Sequence, residues 1–190
     1  DTASRLRDKE NKCHGVTLFE YACSENSMMG QTSSKYGVRH IGLSRDWIDL
    51  SNDTSTEALI EQVSDIPKRD QVVLWGSIPC TPWCTYHRIL IKKYGKKYET
   101  RLQRRRNNSM LFFRRFAKVA AAVLARGGKV AFEWPQFCEG WKQEELQRWI
   151  QDNQLLEAIC HGGYFGMVND KDEPIVKPWR IVTNDERLAQ

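Results

Sequence analysis

The stretch Val72–Cys84 reads VVLWGSIPCTPWC, and its reading decides the fold. A run of Val, Leu and Trp closed by Gly76, Pro79 and Pro82 has the character of a central parallel strand, buried on both faces. Such a strand delivers Cys80 to the edge where open α/β sheets keep their active sites. A second run, Lys129–Phe132, leads at once into Glu133-Trp134-Pro135 and brings a carboxylate to what should be the same edge. Cysteine and carboxylate, each at a strand end, form a candidate chemical pair.

At 190 residues the chain is long enough to bury a sizeable core without disulfide help. Its six cysteines lack the dense spacing of a secreted scaffold, and neither a signal peptide nor an apolar run of membrane-spanning length is present. An intracellular protein with reduced thiols, away from membranes, is expected, with nucleus and cytoplasm equally open. From the opening at Asp1 rather than Met, a piece of a longer chain is expected.

The net charge of +5 is unevenly spread. Between Arg88 and Lys118 lie Lys92, Lys93, Lys96, Lys97, Arg101, Arg104, Arg105, Arg106, Arg114 and Arg115, interleaved with Tyr86, His87, Tyr94 and Tyr98. Basic residues with aromatics suit phosphate backbones and stacked bases of DNA or RNA. The plainer alternative is a solvated helix face. Position favours the nucleic-acid reading, because the stretch begins right after the Cys80 loop.

Along the chain, strands and helices alternate without internal repeat. Residues 1–13 are polar and read as a flexible tail ahead of a single domain over 14–190. Strands are expected at Val16–Phe19, Val38–Leu43, Gln71–Trp75, Lys129–Phe132, Leu155–Cys160, Tyr164–Val168 and Ile175–Val182, with a short one at Asp46–Leu50. Helices are expected at Ser27–Tyr36, from the Thr54/Glu57 capping-box spacing to Asp65, from Arg101 to Arg126, and at Trp141–Asp152. In the long helix Phe113, Phe116, Ala117, Ala120, Val123 and Leu124 share one stripe. The alternation, followed by a terminal strand pair with a turn at Asp170–Glu173, predicts an α/β protein with a mostly parallel sheet.

A first strand ending in an acidic residue, Pro-Cys after a later strand and Glu-x-Pro after the next together resemble the Rossmann-like S-adenosylmethionine-dependent methyltransferases. The resemblance is nearest to the cytosine carbon-5 DNA methyltransferases. FEYACS (Phe19–Ser24), SIPCTPW, ARGGKVAFEWP and KPWRIVT also look like a methyltransferase-like domain of eukaryotic mobile-element polyproteins, and this second likeness covers most of the chain. The resemblance implies a single Rossmann-like domain, a mostly parallel sheet of roughly seven strands with helices on both faces, and other polyprotein domains as partners. It implies Cys80 as the thiolate attacking cytosine C6, and Glu133 as the acid holding the base. A thiol of lowered pKa and a flipped or unpaired base would be required. For S-adenosylmethionine it implies Glu20, Ala22, Cys23, Ser24 and Ser27 after the first strand, Asp46 after the second, Asp49 and Leu50 as the pair that follows a third strand and serves the adenine edge, and Pro79. Here the turn departs from the family's glycine-rich pattern. For nucleic acid it points to Trp83, His87, Arg88, Arg104, Arg105, Arg106, Arg114 and Arg180.

Other readings stay open. Cys80 is equally a small buried hydrophobe at a strand end, and Glu133 a surface or capping carboxylate. Ser77-Ile78-Pro79-Cys80 matches two positions of the loop used by adenine and cytosine amino-methyltransferases, with Trp83 stacking on the base. Cys80-x3-Cys84-x2-His87 has a zinc-like spacing but lacks paired CxxC knuckles. Arg180 reads as a phosphate or cofactor contact, or as a side chain snorkelling at a sheet edge; Trp134, Trp141 and Trp149 read as core or rim. A fold that has lost its cofactor and binds nucleic acid alone competes with the enzyme, and a protein-binding scaffold is a third class.

Overall fold

A computed structural model describes residues 15–44, 50 and 52–190. The expected tail, Asp46, Asp49 and most of the short strand ending at Leu50 lie outside the described residues. Six strands, β1 (Val16–Cys23), β2 (Arg39–Ser44), β3 (Gln71–Gly76), β4 (Lys129–Pro135), β5 (Leu156–His161) and β6 (Pro178–Thr183), form one sheet in the order β2-β1-β3-β4-β6-β5. Among the described residues four helices accompany them: α1 (Met28–Ser33), α2 (Asp53–Asp65), α3 (His87–Ala125) and α4 (Glu144–Asp152). None of the described helices is long and apolar enough to cross a membrane.

The expectation of a mostly parallel, roughly seven-stranded Rossmann-like sheet is corrected by this topology. β1 pairs in parallel with both β2 and β3, but β5 and β6 are antiparallel, so the six-stranded sheet is mixed. The reason lies in the connection. A parallel return needs a crossover, usually through a helix, whereas Gly162–Phe165 makes a single 3₁₀ turn and Val168 bridges Pro174 in a small hairpin. Tyr164–Val168, expected as a strand, is this turn instead.

The described chain forms two compact units, one running through Ile78 and including Leu111–Ala131, the other made of Pro79–Met110 and Phe132–Gln190. In the first, β1 is central, with Thr17, Phe19 and Tyr21 at 1% exposure or less. The second half of α3 supplies Phe113, Phe116, Val119, Ala120 and Val123 to this core. A Cβ on Gly76 would stand 2.5 Å from the Phe116 ring, so the last residue of β3 admits no side chain. α2 is capped by Asn52, whose side chain accepts from the Thr54 N–H, and not by the expected Thr54/Glu57 box. It ends at Ile66, extended because Pro67 follows.

The second unit is organised by aromatic rings. Phe132 meets Trp134 edge-on at 4.9 Å, and Trp141 packs at 5.7 Å from both. Rings at such angles gain beyond the area they bury. α3 begins here at His87, fourteen residues ahead of the expected Arg101, and is interrupted at Gly95, whose φ of 65° and ψ of −158° break the helical path. Glycine takes that backbone without the Cβ penalty.

Candidate active site

In the first unit the end of β1 carries the residues expected to hold a cofactor. Glu20 is buried, and its Oε2 accepts from Ser27 Oγ at 2.5 Å and bonds His40 Nε2 at 2.8 Å. Ser27 is also the N-cap of α1, accepting from the Gly30 N–H. His40 escaped sequence reasoning because its partner lies twenty residues away. Two glycines were the available signal: a Cβ on Gly30 or Gly42 would come within 3.0 Å of the imidazole.

The turn after β1 lacks glycine yet takes a glycine-like path. Ala22 has φ of 64°, and the β1–β2 register shifts between Tyr21 and Cys23, so Ala22 occupies a bulge in the left-handed region. A methyl group tolerates this at a cost of about 1–2 kcal/mol. Burial pushes the Cys23 thiol up to about 11, helped by the nearby Glu20 carboxylate. Ser24 is exposed and its carbonyl accepts from the Ser27 N–H. Leu50 is buried at 4% exposure, an apolar anchor. At the end of β2, Ser44 Oγ is fully buried and, among the described residues, has no hydrogen-bond partner.

The second unit holds the cysteine loop. Thr81–Trp83 is a 3₁₀ turn closed by Trp83 N–H to Cys80 O at 2.9 Å. α3 clamps it at several points. His87 bridges Thr81 O and Tyr98 Oη, each at 2.7 Å, and Arg106 Nε donates to Pro82 O at 3.1 Å. Trp83 Nε1 donates to Ser109 Oγ at 2.9 Å, and that hydroxyl donates to Pro79 O. Pro79 itself is exposed.

Cys80 is half-buried, and burial pushes its thiol up, opposed by the Lys177 ammonium and reinforced by the Glu133 carboxylate and Cys84. The lowered thiol that carbon-5 chemistry requires is therefore not the resting state. Cys160 is likewise raised by burial and then by Glu133, so one carboxylate acts on two thiols. Burial pushes Cys138 up to about 12. Lys177 was missed by sequence reasoning, although Lys177-Pro178-Trp179-Arg180 was singled out for its arginine. Among the described residues no three Cys, His, Asp or Glu side chains are placed to hold a metal ion, and both ring nitrogens of His87 are taken, which removes the zinc-like spacing.

The residues expected to touch nucleic acid divide sharply. Trp83 and His87 are buried, at 3% and 6% exposure. They brace the loop and offer no open face to a base. Arg88 Nε and Arg106 both bond Glu139, at 2.7 and 3.3 Å, and Arg106 stacks over Trp83 at 5.1 Å. Arg180 stacks on Trp141 at 4.7 Å and pairs with Glu157 at 2.5 Å. Arg104, Arg105 and Arg114 are exposed. Lys92, Lys93, Lys96, Lys97 and Arg101 are exposed as well, and Tyr86 and Tyr94 are each more than half exposed.

No protein-family model, curated protein or solved structure matches the chain.

Proposed function

We propose that the protein transfers a methyl group from S-adenosylmethionine to carbon-5 of cytosine in DNA or RNA. The observation that carries the reading is that Cys80, in the loop after β3, and Glu133, within β4, lie near enough for the carboxylate to help push the thiol up. In this reading the Cys80 thiolate adds to C6 while Glu133 holds the ring at N3 and the exocyclic amine. Electron density then builds at C5, and after transfer the C5 proton leaves and the cysteine is expelled. Lys177 favours the thiolate against burial. Two features of the first unit fit the cofactor: the left-handed turn at Ala22, and the unpartnered hydroxyl of Ser44, suited to a ribose hydroxyl. Glu20, Ser27 and Leu50 would complete the residues that hold it. When bound, S-adenosylmethionine supplies the electrophilic methyl group. The exposed lysines, arginines and tyrosines of α3 draw in the polyanion.

Titration calorimetry with S-adenosylmethionine and S-adenosylhomocysteine, thiols kept reduced, tests the cofactor. Transfer of labelled methyl to a cytosine oligonucleotide tests the chemistry. Cys80→Ser is expected to abolish transfer and leave oligonucleotide affinity intact. Because the thiol is raised, the transfer rate should climb with pH through that raised value, and a rate falling above neutrality would count against a Cys80 thiolate. A second reading, a nucleic-acid-binding module without cofactor, is favoured by the missing turn glycines and the protonated thiol. It predicts no heat with either ligand and salt-sensitive binding that survives Glu133→Gln.

A further inference from the structure

β5 is the outermost strand of its side of the sheet, with no neighbour beyond it among the described residues. An open strand edge presents a row of unpaired N–H and C=O groups, and natural edges are usually protected by charge, proline, bulges or brevity. β5, LEAICH, has one formal charge, no proline and no register shift against β6. Leu156 and Ile159 are each more than 40% exposed, and the connection that follows leaves Tyr164 and Val176 at 84% and 77%. These exposed side chains make the edge and the connection beside it an apolar region open to solvent.

We propose that β5 pairs antiparallel with β5 of a second copy of this chain, across a two-fold axis at Ile159. Charge selects both occupant and register. A two-fold axis perpendicular to the sheet sets each residue opposite one equally far on the other side of the axis. Centred on Ile159, it places Glu157 opposite His161 of the second copy at both ends, a carboxylate against an imidazole N–H. Centred on Glu157, it would oppose two like charges. Centred on Ala158 or Cys160, it leaves Glu157 or His161 facing an isoleucine. Glu157 already meets Arg180, yet 46% of its side chain stays exposed and available. A six-residue edge is short of the roughly 1,200 Å² that stable interfaces bury, so the exposed Tyr164, Met167, Val168 and Val176 must add area, and the affinity belongs in the micromolar class.

Sedimentation of the whole chain over a range of micromolar concentrations tests this, with thermal melting as the control for folding. The wild type should pass from monomer to dimer. Ile159→Lys should weaken association by about tenfold or more, and His161→Glu, which sets carboxylate against carboxylate, should do likewise. Adding Glu157→Lys to His161→Glu should restore the dimer, a result that a general loss of fold would not give. A monomer at every concentration, a dimer indifferent to Ile159→Lys, or a double variant that fails to recover would each overturn the proposal.

Discussion

The two halves of α3 both carry lysine and arginine in sequence and meet opposite fates in the fold. From His87 to Met110 the helix turns Lys92, Lys93, Lys96, Lys97, Arg101, Arg104 and Arg105 to solvent. From Leu111 onward it is a core element, and even Arg115 is buried there, its Nε paired with Asp53 at 3.3 Å. Arg126, just past the helix end, donates to the carbonyls of Val63, Pro67 and Asp70. A basic run in sequence is therefore not one surface. Some of its arginines brace the fold, and others are available to a partner.

That division can be attacked at its core end first. Phe116 meets Tyr21 edge-on at 5.6 Å and is fully buried, so Phe116→Ala should cost about 3–5 kcal/mol in denaturant unfolding. Arg126→Ala, which removes a donor from the Val63 carbonyl in the last turn of α2 and from the Pro67 and Asp70 carbonyls beyond it, should cost about 1–3 kcal/mol by the same measurement. Both changes should leave nucleic-acid affinity of the folded protein unchanged.

A smaller effect is expected from Asp53. The Arg115 guanidinium beside it, with Lys118, holds its carboxyl below the ordinary carboxylate value. A group with a depressed folded pKa stabilises above its unfolded value and loses that contribution as pH falls through the folded one. Acid titration of stability should therefore lose a component in Asp53→Asn, and an unchanged acid profile would show the pair to be inert. Reversing Arg104 and Arg105 to Glu should be the mildest change for the fold, within about 0.5 kcal/mol. It should weaken oligonucleotide binding and flatten its salt dependence by about 0.9 in log–log slope for each phosphate no longer neutralised. If stability fell and binding held, the division between the two halves would be wrong.

Legibility followed the range of the determining interaction. β3 and the first part of β4 were readable because a continuous apolar run is a local signal, but β4 runs past the expected Phe132 to Pro135, so Glu133 lies within the strand and not after it. The apolar stripe through Phe113, Phe116 and Val123 was readable for the same reason. The early start of α3 was not, since Arg88–Lys97 has little apolar periodicity and contains Gly95. Nor was the β5–β6 pairing direction, which depends on how sixteen intervening residues turn. Cys80 and Glu133 announced themselves by residue type and position, whereas Lys177 is distant in sequence from both. Trp83 and His87 look like ligands on paper, and only the bonds to Ser109, Thr81 and Tyr98 reveal them as struts.

Those struts also set a timetable. Because three side chains of α3, His87, Arg106 and Ser109, tie down the turn behind Cys80, and Tyr98 holds His87 in place, the loop has few ways to open while the helix stays in place. Large excursions of the thiol should then share the rate of sub-global opening and not of loop flicker. Amide exchange at Trp83 and Cys84 would fall in step with that of α3. A reagent too bulky for the resting crevice would consume Cys80 at a pace set by the protein and independent of its own concentration.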